Sequence, residues 1–319
     1  MSFSSQVKEE LERHISPGRH CQIAEMAAIL HFAGRLVRGE EGQLWLQILT
    51  ENVFVARKCF TILNKTFNIE TSSLEQECFG KRKNTVYSII LEKEKDILAL
   101  FQGIKLIDSK GILHELKDRA NPLILKLSCC QRAFIRGAFL TIGSMSDPEK
   151  SYHLELVCPN RNQAEQLQEL LCGFALDAKI IPRKKYFVVY LKEGSNIVDF
   201  LNICEGHVAL MNLENLRILK EMRNSINRRV NCETANIAKT VNAAAKQLED
   251  IRFIQAYVGF SKLPPALRQM AEVRLEYPEA TLKELGQYLE PPVGKSGVNH
   301  RLRKLSEIAD IHKQRSCEK

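Results

Sequence analysis

Apolar positions change their period along this chain, and each change marks an element. His20–Leu36, "HCQIAEMAAILHFAGRL", is apolar enough for a buried helix and stops at Gly34. Next, "QLWLQILT" alternates every second residue as a strand does, "ENVFVARKCFTILNKTF" takes a helical period, and "NTVYSIILE" is strand-like again. The same order then recurs. Cys129–Met145, "CCQRAFIRGAFLTIGSM", is followed by "YHLELVCP", "NRNQAEQLQELLCGFAL" and "KYFVVYLKE". At one offset of 109 residues Cys21 matches Cys130, Gln22 matches Gln131, Ala24 matches Ala133 and Gly34 matches Gly143. Both helices carry small residues four apart, Ala24 with Ala28 and Ala133 with Gly137, which lets helix backbones approach closely. Residues 1–205 are therefore expected to be an α+β domain of two similar halves. Glycine-ended helices near 20–34 and 129–143 would pack them as a pseudo-dimer.

Beyond residue 205 only helical periods remain. Residues 206–259 form a helical linker with apolar positions at Leu213, Leu216, Leu219 and Met222, then at Ile237, Val241, Leu248 and Ile251. Two helices are expected there, joined near "NRRVNCET". Arg228 and Arg229 make that joint basic, which suits solvent and a DNA backbone equally. Residues 260–319 divide further. Pro265 suits the first position of a helix that buries Leu267, Met270, Ala271 and Leu275 and ends before Pro278. Thr281 and Glu284 make a capping box for a short helix that Pro291, Pro292 and Gly294 end. A last helix starts near Ser296 with Val298, Leu302, Leu305 and Ile308 inward.

Three short helices with a turn between the last two predict an all-α helix-turn-helix domain, although "EPPVGKS" is longer than the shortest such turn. At about 100° per residue, Ser296, Asn299, His300, Arg303 and Lys304 face outward. Asn299, His300 and Arg303 are the candidate base readers, since Asn and Arg pair bidentately with adenine and guanine edges. Lys295, Ser296, Arg301 and Lys304 are candidates for the DNA backbone, with Arg228 and Arg229 beside them; packing competes for Arg301, which lies nearer the buried edge.

Charge agrees with that placement. The net charge is +8, and from Gly206 onward there are 19 Lys and Arg against 13 Asp and Glu, compared with 27 against 25 before it. The Gly-Lys-Ser at 294–296 resembles the end of a nucleotide-binding loop, but that loop needs glycine where Leu289 stands and a buried strand before it. No nucleotide is expected. The ten cysteines form no C-x-x-C pair, and adjacent Cys129 and Cys130 are expected to point to different sides of a helix and chelate poorly. The expectation is reduced thiols, with no metal and no cofactor. No apolar run approaches a membrane span, and the first fifteen residues lack a signal peptide's apolar core, so a cytoplasmic, nucleoid-associated protein without a membrane partner is expected.

"MAAILHFAG" (Met26–Gly34) and "IRGAFLTIG" (Ile135–Gly143) align without gaps to the LAGLIDADG motif of homing endonucleases. That resemblance implies paired helices at the interface of the two halves, each ending in an acid that holds a divalent metal. The acid positions here are Ala33 and Ile142, and hydrocarbon side chains cannot replace the hard oxygen ligands of Mg²⁺. The nearest carboxylates, Asp147 and Glu149, lie past the second glycine in a proline-containing turn and are read as a solvated loop. A degenerate fold without catalysis is expected.

With the tail included, the whole chain resembles the WhiA family of bacterial sporulation and cell-division regulators. The resemblance runs through "SFSSQVKEEL", "GSMSDPEKSYHLEL", "NRRVNCETANIAKTVNAAAKQL", "LPPALRQMAEVRLEYPEATLKELGQYL" and "KSGVNHRLRKL". It implies a sequence-specific DNA-binding protein acting in transcription and, in some bacteria, in division and chromosome segregation. It also implies, in some relatives, a small iron–sulfur regulator as a protein co-regulator. The tail separately resembles the promoter-reading domain of sigma factors, which makes double-stranded promoter DNA the expected partner. Two other readings stay open: an active LAGLIDADG-type endonuclease, and an interaction scaffold whose basic tail does not read DNA.

Overall fold

The repeat seen in the sequence is a repeat of topology. The computed structural model describes residues 2–38, 43–71, 74–79, 84–107, 116 and 118–317, which separate into two units, Met1–Lys220 and Glu221–Lys319. The first unit opens with α1 (Phe3–Arg13), capped by Ser2, whose hydroxyl accepts from the Ser5 amide. Its first half continues as α2 (Arg19–Ala33), β1 (Gly34–Arg38), β2 (Leu44–Thr50), α3 (Val53–Phe67), β3 (Leu74–Phe79), β4 (Asn84–Leu91) and α4 (Glu94–Gly103). The second half follows the same order: α5 (Ser128–Ile142), β5 (Gly143–Met145), β6 (Leu154–Cys158), α6 (Arg161–Gly173), β7 (Lys179–Arg183), β8 (Tyr186–Leu191) and α7 (Gly194–Ile203). Each half builds an antiparallel sheet of four strands, ordered β1-β2-β4-β3 and β5-β6-β8-β7.

The sequence pattern predicts only two of those four strands in each half. β1 and β7 lie at sheet edges and are largely exposed, so nothing imposes an apolar alternation on them. β5 is three residues long, too short to show a period.

Gly34 and Gly143 do close α2 and α5, but not as left-handed helix stops. Their backbones are extended (φ −79°, ψ 144° and φ −84°, ψ 145°), and each leads straight into a strand. A Cβ on Gly34 would lie 2.5 Å from the Leu30 carbonyl oxygen, and one on Gly143 would lie 2.6 Å from that of Phe139. The same steric reason therefore selects glycine twice. Between the halves α2 packs on α5, and a Cβ on Gly137 would meet the Glu25 carbonyl oxygen at 2.6 Å and the Ala28 methyl at 2.9 Å. The small residues four apart let the two backbones touch.

That apolar interface contains buried charges. Glu25 on α2 takes a forked pair from Arg136 on α5, with Nε–Oε1 at 3.1 Å and Nη2–Oε2 at 3.2 Å. Lys58 of α3 lies 3.1 Å from the same Oε1 and donates to the backbone carbonyls of Leu11 and His14. Arg136 also donates to Ser16 Oγ and Glu205 Oε2, each at 2.6 Å. Buried charges cost stability unless paired, and the buried Glu25 answers both Lys58 within its own half and Arg136 across the interface, with the half-exposed Glu205 as a second partner for Arg136.

The expected break between two linker helices is absent. One helix, α8, runs from His207 to Tyr257. The segment "NRRVNCET" holds neither glycine nor proline, and its polar residues lower helix propensity by only a few tenths of a kcal/mol each, too little to end a helix. Arg228 and Arg229 are exposed along that helix, with Arg229 paired to Glu233 at 3.2 Å.

The second unit contains the rest of α8, a single turn at Phe260–Lys262, and α9 (Pro265–Glu276), α10 (Leu282–Gln287) and α11 (Lys295–Cys317). Its core joins Leu267 and Met270 of α9, Leu285 of α10, and Val298, Leu302, Leu305 and Ala309 of α11. Ile251 and Ile254, on the segment the sequence assigns to a linker, complete it.

Candidate nucleic-acid interface

Helix α11 is presented by a turn whose geometry one glycine allows. The Thr281 hydroxyl accepts from the Glu284 amide while the Glu284 carboxylate accepts from the Thr281 amide at 2.7 Å, completing the capping box that opens α10. That bond to the Thr281 amide holds the Glu284 carboxyl below its usual range. α10 is only six residues long, and the chain then folds back over it. The Val293 amide donates to the Gly286 carbonyl at 2.9 Å, and a Cβ on Gly286 would stand 2.1 Å from the Val293 carbonyl oxygen. A Cβ on Gly297 would likewise meet Val293 Cγ1 at 2.3 Å. The sequence reasoning missed both glycines. An isolated glycine inside a helical run was the available signal, since it costs about 1 kcal/mol against alanine and so calls for a packing reason.

Gly294 accepts from the Val298 amide, so α11 begins at Lys295, one residue before the expected start. Val298, Leu302 and Leu305 are buried as expected, while Ile308 is only half-buried and Ala309 takes the inner position. Lys295, Ser296, Asn299, His300, Arg303 and Lys304 are exposed on α11, and Arg301 is half-buried. The Arg303 guanidinium pairs with Glu307 one turn on, Nε–Oε1 3.1 Å, with both side chains mostly in solvent. Two further contacts hold α11 and its neighbours. The buried Arg274 of α9 donates to the Ala280 carbonyl at 2.7 Å, bridging to the start of α10. Lys313 of α11 reaches the buried Asp250 of α8 at 2.8 Å. No sequence pattern pointed to Arg274 or Asp250.

The arrangement suits a polyanion. The first turn of α11 has backbone N–H groups without intrahelical acceptors and the positive end of the helix dipole, beside Lys295 and Ser296. The Gly-Lys-Ser at 294–296 follows a helix, and the described strands all lie between residues 34 and 191. Among the described residues no helix is long and apolar enough to cross a membrane.

At the other candidate site, Ala33 and Ile142 are the last residues of α2 and α5. A cleft of about 530 Å³ beside Ala33 is lined by Lys8, Thr50, Glu51, Asn52 and Thr141 among others. Burial pushes the Lys8 amine down to about 8. The two acid positions of the motif offer no oxygen ligand, so a catalytic divalent metal does not fit them. Asp147 and Glu149 are exposed, and Asp147 accepts from the Glu149 amide at 3.0 Å within the loop, as expected for a solvated turn.

Comparison with known proteins covers almost the whole length. The chain matches the family descriptions of the WhiA N-terminal LAGLIDADG-like domain over residues 19–107, the WhiA LAGLIDADG-like domain over 131–223 and the WhiA C-terminal helix-turn-helix domain over 226–309. A protein of Lachnoclostridium phytofermentans named probable cell division protein WhiA is 53% identical over 315 residues, covering 97% of this chain and 99% of that one. A protein of the same name from Clostridium botulinum is 45% identical over 314 residues, covering 98% and 99%. Among solved structures, full-length WhiA from Thermotoga maritima superposes with a TM-score of 0.60 at 24% identity, covering 97% of this chain and 98% of that one. An isolated N-terminal LAGLIDADG domain of WhiA gives 0.50 at 21% identity, over 64% and 90%. The full-length structure shares the fold of the whole chain, a LAGLIDADG-like module of helices and sheets followed by a helical domain, and the isolated domain shares that of the module.

Proposed function

The chain belongs to the WhiA family, and from that premise we propose that it is a sequence-specific DNA-binding regulator of transcription without nuclease activity. The observation that carries the reading is the solvent face of α11, where Asn299, His300, Arg303 and Lys304 stand exposed on a helix fixed by the Gly286–Val293 turn. In this reading α11 enters the major groove. Asn299, His300 and Arg303 read base edges, and Arg303 first leaves Glu307, an exposed pair worth about 0–1 kcal/mol. A guanine edge offers two acceptors to the same guanidinium and outcompetes that pair. Lys295, Ser296, Arg301 and Lys304 contact phosphates, as do Arg228 and Arg229 on α8.

Residues 260–319 are assigned the reading of DNA, 1–205 the two-repeat module, and 206–259 the helical connection. Ala33 and Ile142 support the loss of catalysis, since neither can hold the metal that would activate water. The names of the relatives support a role in cell division. Sporulation, chromosome segregation, promoter DNA as target, a protein co-regulator and a nucleoid location extend that role.

The test incubates the purified full-length chain with fragmented genomic DNA in Mg²⁺ buffer and sequences both protected and cut fragments. Protected, uncut sites sharing a motif are expected. Site-specific cuts would mean that other carboxylates replaced the lost pair, and binding without a shared motif would reduce the tail to a charged scaffold.

A further inference from the structure

We infer that His20, Cys21, Cys129 and Cys130 hold one zinc ion that clamps the two halves of the first unit together. The sequence expectation for Cys129 and Cys130 is overturned by what surrounds them. α2 begins at Arg19 and α5 at Ser128, so His20 and Cys21 occupy the second and third positions of one helix, and Cys129 and Cys130 those of the other. Adjacent side chains on a helix diverge by about 100°, not 180°, so two of them can border a point beyond the helix start. There the second helix supplies the other two ligands.

The distances fit a single small ion. His20 Nδ1 lies 3.3 Å from Cys21 Sγ, 3.2 Å from Cys130 Sγ and 3.9 Å from Cys129 Sγ. All four ligand atoms lie within 4.8 Å of one another. A tetrahedral zinc ion with bonds of about 2.3 Å to sulfur and about 2.0 Å to nitrogen separates its ligand atoms by roughly 3.5–3.8 Å. Side-chain adjustments of an ångström or less would complete the coordination. Three thiolates and one imidazole form a soft set that selects zinc over the hard cations. An iron–sulfur cluster divides its four ligands between two or four irons and so spreads them further apart than this set allows.

Two features of the fold support the site. His20 folds its ring back over Gly18, where a Cβ would stand 2.9 Å from Nε2 and 3.2 Å from Cε1, so glycine leaves the ring its place. The positive ends of the α2 and α5 dipoles meet here, and they favour three thiolates whose charge exceeds that of the ion by one. Cys21 and Cys130 are buried while His20 and Cys129 are exposed, which gives the ion an open side for entry. The site is separate from the degenerate nuclease centre. His20 and Ala33 are thirteen residues apart on α2, about 20 Å at 1.5 Å per residue. A metal at the helix starts would join segments 109 residues apart in sequence, which is the clamp.

The test uses the full-length chain, purified without a metal-binding tag in reducing buffer. Elemental analysis should find one zinc per chain. Cobalt added to the chelated protein should bind at one equivalent, giving the ligand-field bands of a tetrahedral site and a sulfur-to-cobalt charge-transfer band. His20→Ala and Cys129→Ala alter exposed side chains, so the fold should persist by circular dichroism, and both should lose the stoichiometric cobalt spectrum. Cys172→Ser, at an exposed cysteine on α6, should retain it. A wild-type chain with neither zinc nor cobalt–thiolate bands overturns the proposal. So do a Cys21–Cys130 disulfide found by mass spectrometry in place of metal, one equivalent of iron, or an unchanged spectrum in the variants.

Discussion

Gly286→Ala asks whether the presentation of α11 depends on a backbone contact that only glycine permits. The added methyl would stand 2.1 Å from the Val293 carbonyl oxygen and 3.2 Å from Val298 Cγ2, where ordinary contact begins near 3.4 Å. The turn must therefore retreat by more than an ångström or α10 must unwind. Either movement strains the 2.9 Å bond from the Val293 amide to the Gly286 carbonyl. Overpacking of this kind costs about 1–3 kcal/mol, and a lost hydrogen bond about 0.5–1.5 kcal/mol. Opposing them is alanine's better helix propensity, about 1 kcal/mol. Overpacking and the lost bond win, and the second unit should lose about 1–3 kcal/mol. The two units can be followed separately in one urea titration. The single tryptophan, Trp45, lies on β2 of the first unit and reports that unit, while far-ultraviolet circular dichroism senses the helices of both, so the dichroism transition that Trp45 does not share belongs to the all-helical second unit. The dichroism transition should move to lower urea while the Trp45 transition stays, and affinity for an operator should fall with it. A variant more stable than wild type, with unchanged affinity, would show propensity alone at work and refute the close approach.

Other substitutions test the interface and the core. Arg303→Ala should cost about 1–3 kcal/mol at one base pair and relax the choice there, as measured by competition among operator variants; a uniform loss would make it a phosphate contact. Lys304→Ala should flatten the log–log salt dependence of binding by about one unit, and an unchanged slope would remove it from the interface. Glu25→Ala leaves Arg136 and Lys58 buried without their shared carboxylate and should destabilise the first unit by about 3–5 kcal/mol, seen in the Trp45 transition. Lys8 has a folded pKa of about 8 against an ordinary 10.5, so between those values the unfolded chain binds more protons and stability rises with pH. Lys8→Met should therefore stabilise by about 1–3 kcal/mol at pH 7, with the gain fading as pH approaches 10.5; equal gains at both pH values would mean that packing, not charge, is responsible.

The sequence by itself determined whatever depends on neighbours a few residues apart. The repeat shows as the same short patterns met twice in the same order, and the glycine-ended helices, the Thr281–Glu284 capping box and the alternation of β2, β4, β6 and β8 are short-range patterns. So is the hydrocarbon at Ala33 and Ile142, because losing a ligand is a fact of residue type and needs no coordinates. The outward face of α11 was legible for the same reason, as a helix sorts its sides by period alone. Tertiary structure decided what two distant segments do to each other. A polar run read as a joint continues as one helix, because nothing in it costs enough to break α8. Gly286 is selected by the Val293 carbonyl and the Val298 side chain of the segment that folds back over it, which spacing cannot reveal. Glu25 and Arg136 lie 111 residues apart, and His20 and Cys130 lie 110 apart, yet each pair touches. Two helices packed face to face create those contacts, and the position of one helix on another is fixed by the packing of the whole core, not by either sequence segment.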